Sequence, residues 1–345
     1  MDGRAAWWRV GGPRGDGGRG AGSAAVPATV RAAVQAIAVA GLACTVAACD
    51  GSDDDVAAPP PPPVAVVDPC PAITSGGATP PVAAPYVCGI QVGVADLEKS
   101  VAFYKALGLQ ETGRLRRTDR DEVVLASPDG TGSHLVLFHH LDAAGRDYRR
   151  NPGKVVFYAK DAVAFGAGFA RAGGVLSAPP VPYQGTLVGF GRDLDNNLVE
   201  IAQSATAVTA YLSAVGLGVS NLEAARTQYL GLGFQQAARL SVSKPDGQGG
   251  TTPWYDEYIL VSPSRKGASV VLMTYTDGQP RNYTDVPVAV GLRVPDPAAF
   301  AQAAGAAGAT VVSAPAASAE PVLGGLVTGT ARDADGTLLH FHAAP

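Results

Sequence analysis

Charge is scarce in this chain, and what there is nearly cancels. The 345 residues hold 26 Lys and Arg against 30 Asp and Glu, a net −4. No basic stripe stands out, which argues against a nucleic-acid partner. Aromatics are few at 7%. Ala, Gly and Pro are abundant instead, a composition that fits a compact small-residue body and neither a coiled coil nor a disordered one. No Ser/His/Asp or Cys/His nucleophile arrangement stands out. Phosphate-cradling glycine motifs are missing as well, since Gly168, Gly173 and Gly174 belong to a helix and its end. Length alone allows two domains, each with its own core.

The first 49 residues read as an export signal. Arg4, Arg9, Arg14, Arg19 and Arg31 precede an apolar run, Ala32 to Ala48, broken only by Gln35, Gly41 and Thr45. A basic flank, an apolar centre and small residues before a cut site are the parts of such a signal. Val46-Ala47-Ala48-Cys49 resembles the lipobox of bacterial lipoproteins, which implies cleavage before Cys49 and a lipid on its sulfur. Cys44 fits less well, because Gly41 stands where a larger apolar residue is usual. The other reading is an uncleaved membrane anchor, for which the run is short of the ~20 residues a span needs. The Gly/Arg-rich stretch before Val30 is long for a signal, so Val30 is a candidate for the true start. Residues 50–87 follow as a tether. Asp53, Asp54 and Asp55 keep it solvated, and Pro59 to Pro63 favour extended polyproline II. Cys70 and Cys88 are the cysteines left after export. They can pair as a disulfide in an oxidising compartment, or stand as two free thiols.

The rest is repetitive. Asp96 caps a predicted helix that Gly108 ends, with Leu97, Val101, Tyr104 and Leu107 on one face. Asp161 with Gly173, Asn221 with Gly233 and Asp296 with Gly308 repeat that spacing. Pro297 takes the first helical position, where its missing amide is no loss. Apolar strands follow each helix, giving four βαβββ units. The units pair into two larger copies. Arg146-Asp147-Tyr148 returns as Arg281-Asn282-Tyr283, Tyr104 as Tyr229 and Arg114 as Arg239. An insertion near Lys244 to Tyr255 lengthens the second copy and carries Trp254 and Tyr255. Predicted domains are residues 88–204 and 212–345, joined by a short connector at 204–207.

This order, with DLEKSVAFYKALGL at Asp96 to Leu109 and DLDNNLVEI at Asp193 to Ile201, resembles the vicinal oxygen chelate superfamily. That group includes glyoxalase I, the fosfomycin and bleomycin resistance proteins and the extradiol dioxygenases. The resemblance implies an α+β fold of two tandem half-open barrel domains, each of two βαβββ units. It also implies a divalent metal that acts as a Lewis acid, held by a His or Gln on one opening strand, a His on the next and a Glu on a last strand. Carried over residue by residue, those positions are Gly89, Lys154 and Glu200 in the first copy, and Ala214, Ala289 and His340 in the second. A shifted register would bring in Gln91 for Gly89. Neither copy keeps the set. No cofactor is expected, with a divalent metal left open on Glu200, His340 and His342.

Lys154 and Glu200 occupy metal positions, so they are expected to face each other as an ion pair. Either they grip a ligand oxygen or they form a salt bridge at the barrel mouth. Adjacent His139 and His140 point to opposite faces of a strand and cannot share an ion, whereas His340 and His342 share one face. Tyr148, Tyr183, Trp254 and Tyr283 are candidate pocket walls, or else core aromatics. Ligand-binding candidates are thus Lys154, Glu200, Gln91, Tyr148, Tyr183, Trp254 and Tyr283. Two functions are carried forward. One is a lipid-anchored protein of the cell envelope that binds a small organic molecule in a barrel cleft. The other is a metal-dependent lyase or ring-cleaving dioxygenase with an altered site. Expected partners are a small molecule and, through the lipid, a membrane.

Overall fold

Four helices of ten residues begin at the four predicted caps. Asp96, Asp161, Asn221 and Asp296 each accept a hydrogen bond from a first-turn amide, satisfying donors that a helix start leaves without partners. Gly108, Gly173, Gly233 and Gly308 follow the helices at φ between 85° and 108°, where a side chain would be strained. The computed structural model describes residues 67–71, 84–142, 146–183, 185–245 and 250–343. The segment expected to be an export signal, with Cys49, and most of the expected tether lie outside them. No helix among the described residues is long and apolar enough to cross a membrane.

Unit one is β1 (Tyr86–Gly93), α1 (Leu97–Ala106), β2 (Gln110–Arg116), β3 (Arg120–Ala126) and β4 (His134–His140). Unit two is β5 (Lys154–Ala159), α2 (Ala162–Arg171), β6 (Val175–Tyr183), β7 (Thr186–Arg192) and β8 (Leu198–Gln203). Unit three is β9 (Tyr211–Gly218), α3 (Leu222–Gly231), β10 (Gln235–Pro245), β11 (Thr251–Val261) and β12 (Ser269–Tyr275). Unit four is β13 (Val288–Val294), α4 (Pro297–Ala306), β14 (Thr310–Ala317), β15 (Val327–Arg332) and β16 (Leu338–Ala343).

The sixteen strands make two eight-stranded sheets, so the α+β fold with two half-open barrels of two βαβββ units each is present. The partners differ from those expected. Barrel I joins units one and four through antiparallel β1 and β13, and barrel II joins units two and three through antiparallel β5 and β9. Each sheet therefore draws on both sequence halves. The connections explain it. Residues 204–210 are a short link that keeps units two and three in one sheet. The longer segments 141–153 and 276–287 carry the chain from one barrel to the other.

Consecutive units still hold each other through turns. Tyr104 of α1 donates to Asp193 at 2.6 Å, and Ser100 donates to Asp195 at 3.1 Å. The second copy repeats this with Tyr229 on Asp333 at 3.0 Å. The Asp-rich turn that resembled a family signature is thus a buried clamp on the preceding unit's helix. Apolar residues of both sheets and all four helices merge in one core, in which Phe103 of α1 meets Phe169 of α2 edge-on at 5.3 Å.

Residues 67–71 are not the solvated spacer that the sequence suggested. They form a strap on the inner side of barrel I. Val67 packs against Leu115, Val124, Val136 and Leu323, and its amide bonds the Val322 carbonyl at 2.8 Å. Cys70 is 1% exposed and bonded to Cys88, with Cα atoms 5.1 Å apart. Buried Arg293 donates to the Cys70 carbonyl at 2.6 Å and pairs with Asp68. Gly89 gives the strap room, because a Cβ there would lie 3.3 Å from the Pro69 carbonyl oxygen.

Candidate functional site

The expected metal positions regroup with the sheets. Lys154 of β5, Glu200 of β8 and Ala214 of β9 share barrel II, while Gly89 of β1, Ala289 of β13 and His340 of β16 share barrel I. Gln91 and Lys154, expected side by side, fall in different barrels. Glu200 and the His340–His342 pair are likewise apart and cannot hold one ion together.

In barrel II, Lys154 Nζ lies 2.7 Å from Glu200 Oε2, 2.7 Å from Glu257 Oε2 and 3.3 Å from the Tyr255 hydroxyl. Lys154 is 3% exposed and Glu257 is 4% exposed. Burial by itself would lower the ammonium pKa, yet Glu200, Tyr255 and Glu257 outweigh it and hold Lys154 well above its ordinary value. Glu257 is raised as well, which for a carboxyl is toward the neutral form. Burial raises it, and one cation shared with Glu200 does not offset that. Gly216 makes the space, since a Cβ there would lie 2.4 Å from Lys154 Cγ. The longer β10–β11 hairpin delivers the aromatics. Tyr255 packs with Trp254 at 4.9 Å between ring centres, and Trp254 meets Phe190 at 5.4 Å. Tyr183, at the end of β6, has its hydroxyl raised by burial and by the charges of Glu257 and Glu200.

Barrel I carries the duplicated counterparts of these groups with their sizes exchanged. Ala289 stands for Lys154, Gln91 for Gly216, Arg120 for Tyr255 and His340 for Glu200. Only the buried carboxylate persists, as Glu122 for Glu257. Arg117 at 2.8 Å and Arg120 at 2.5 Å flank Glu122. Together they outweigh the effect of burial and hold it below its ordinary value. Exchanging Lys for Ala leaves room. A cavity of about 480 Å³ opens there, walled by Gln91, Arg120, Phe138, His140, Tyr148, Ala289 and His340, with Arg146, Arg150 and Arg332 at its rim. Gln91 is 4% exposed, and its amide has no hydrogen bond to any described residue. His340 Nδ1 lies 3.2 Å from Thr330 Oγ1, while its buried Nε2 has no partner among the described residues. Burial, with help from Arg120, lowers His340 to about 4, so the ring is neutral at neutral pH.

The remaining candidates divide. Tyr148 lines the cavity and accepts from the His140 amide at 3.0 Å. Tyr283 packs over Gly218, with a Cβ-to-ring distance of 3.1 Å were a Cβ present. His139 bonds the Val94 carbonyl at 2.8 Å and its neighbour His140 faces the cavity. His342 is buried without a hydrogen-bond partner among the described residues.

Sequence reasoning passed over Glu122, Glu257 and Arg120. Their signal was present. Asp121-Glu122 and Asp256-Glu257 stand at matching places in the two copies, each just ahead of an apolar strand run.

A metal of the implied kind does not fit either barrel. Barrel II puts an ammonium at one ligand position, and a charged lysine offers donors only. Barrel I offers one imidazole beside Gly89 and Ala289. No group of three or more His, Cys, Asp or Glu converges among the described residues.

No curated protein sequence matches the chain. Among solved structures, glyoxalase I from Zea mays superposes with a TM-score of 0.61 at 18% identity, over 75% of this chain and 92% of that one. A Bacillus subtilis protein provisionally assigned as a dioxygenase superposes with a TM-score of 0.52 at 11% identity, over 75% and 85%. At such identities the likeness is one of fold. Residues 87–201 match the Glyoxalase/Bleomycin resistance protein/Dioxygenase superfamily.

Proposed function

We propose that this chain is an exported, lipid-anchored binding protein that holds a small organic anion in the cavity of barrel I without a metal. The supporting observation is Gln91, a 4% exposed amide on the cavity wall that lacks a protein hydrogen bond. A buried polar atom without a partner costs roughly 1–3 kcal/mol, and His340 Nε2 on the same wall is such an atom among the described residues, so a ligand that hydrogen-bonds it would remove that cost. Arg332, which has no ion pair among the described residues, favours an anionic ligand, because a guanidinium group matches a carboxylate in a bidentate way. Arg120, Arg146 and Arg150 are already paired with Glu122, Asp142 and Asp147, and Asp147 and Asp285 also line the cavity. Phe138 and Tyr148 supply apolar wall for an organic body. The lipid belongs on Cys49, with the body held on the outer side of a membrane.

A panel of small carboxylates titrated by calorimetry tests the reading. At least one should bind saturably, and Gln91→Leu, close in volume, should weaken it about tenfold, equivalent to ~1.4 kcal/mol. Binding that Gln91→Leu leaves unchanged overturns the site. Mass spectrometry of the mature protein checks the anchor, where an unmodified Cys49 still preceded by residues 30–48 would remove it.

A further inference from the structure

The mouth of barrel II holds a second cleft, of about 320 Å³, lined by Arg149, Arg150, Arg192, Arg281 and Tyr275 together with asparagine amides. Four guanidiniums meet there, and no carboxylate is among the lining residues. Two are already neutralised from outside the cleft, Arg150 by Asp147 at 2.9 Å and Arg281 by Asp277 at 3.0 Å. The other two are not. Half-buried Arg192 gives one side-chain hydrogen bond, to the Asn196 carbonyl at 3.0 Å, and Arg149 has no ion pair among the described residues. Burial lowers Arg192 below its ordinary value, and the like charge of Arg281 adds to that. Cations gathered in a partly desolvated cleft repel one another unless an anion sits among them. Tyr275 forms a wall, with Arg281 stacked 3.9 Å from its ring centre and so held in place.

The duplication adds an independent reason. Arg192 precedes the buried turn at Asp193 as Arg332 precedes the one at Asp333, and Arg281 corresponds to Arg146. Arg332 and Arg146 line the cavity of barrel I. The interiors of the two barrels have diverged, while the pair of rim arginines is present at both mouths.

We propose that the mouth of barrel II is a second binding site, for a compact oxyanion with two negative charges, carried either by a phosphoryl group or by paired carboxylates. Bidentate guanidinium contacts suit both sources.

The test is calorimetric titration of the full chain with inorganic phosphate and, separately, malonate, at pH 8 with chloride balancing ionic strength. A saturable event is expected that Arg192→Gln weakens at least tenfold and Gln91→Leu does not, which separates it from carboxylate binding in barrel I. Arg149→Gln, at an exposed position that bears no packing, should weaken the same event several-fold, while Arg332→Gln leaves it unchanged. Tighter phosphate identifies a phosphoryl ligand and tighter malonate a dicarboxylate, and either supports the site. Absence of saturable binding for both anions overturns it, as does a titration that Arg192→Gln and Arg149→Gln leave unaltered. The readout is separate from the barrel I cavity, since Gln91→Leu acts there and not here.

Discussion

Barrels I and II bury the same carboxylate on the third strand of a unit, and they neutralise it differently. Glu122 has two arginines against it, Arg117, which also pairs with Glu320, and Arg120, which also lies near Asp119, both within three strand positions or a turn of it. Glu257 shares one lysine with Glu200, and that lysine comes from the facing unit. Local cations leave the middle of barrel I free, and the cavity follows. A cation reaching across fills the middle of barrel II. One exchange of large and small residues, Lys154 and Gly216 against Ala289 and Gln91, decides which barrel is open.

The sharpest way to break this comparison is to remove each cation in turn. Lys154→Ala leaves buried Glu257 and half-buried Glu200 without their shared cation and should cost about 3–5 kcal/mol. Arg120→Ala leaves Arg117 on Glu122 and should cost less, roughly 1.5–3 kcal/mol. Urea unfolding at pH 7 reads both, and equal losses would end the distinction.

Next in size is a pH effect peculiar to barrel I. His340 is lowered in the folded protein to about 4, so the unfolded chain binds the extra proton first. Stability is then fully present above about pH 6.5 and is lost as pH falls toward 4, by roughly 2–3 kcal/mol for this ring. His342, lowered by burial first and then by His340, adds in the same direction. His340→Asn should flatten the profile between those pH values. A slope unchanged in that variant would assign the effect elsewhere.

The change most specific for function comes from exchanging the interiors. Gln91→Gly with Ala289→Lys gives barrel I the pattern of barrel II and places an ammonium toward Glu122. Anion binding there should fall at least tenfold in a calorimetric titration, because the lysine side chain fills the cavity. Retained binding would show that the cavity does not depend on this exchange.

How far the sequence disclosed these features depends on their range along the chain. Asp96, Gly108 and their repeats were legible because a cap and a helix stop act within a single turn. The ion pair of Lys154 with Glu200 was legible because both belong to unit two, on adjacent parallel strands. The choice of barrel partner was not. All four opening strands are small and apolar, so nothing in β1 prefers β13 to β5. The connector at 204–210 held a clue in its shortness, which binds units two and three together where it had suggested a boundary. The cavity was hidden for a related reason, since it results from Ala289 and Gln91 meeting on adjacent strands of one sheet that are drawn from opposite ends of the sequence.

The strap has a mechanical consequence. Pulling on the chain ahead of Val67 would not peel β1 from the edge of its sheet one hydrogen bond at a time. Load passes through the Cys70–Cys88 bond into a central strand, flanked on both sides by β13 and β4. It is also shared with Arg293 on the neighbouring strand. A central strand pulled along its length must shear both ladders at once. The strap is therefore braced against tension applied at Val67, and reduction of one covalent bond would turn that braced joint into one that opens progressively.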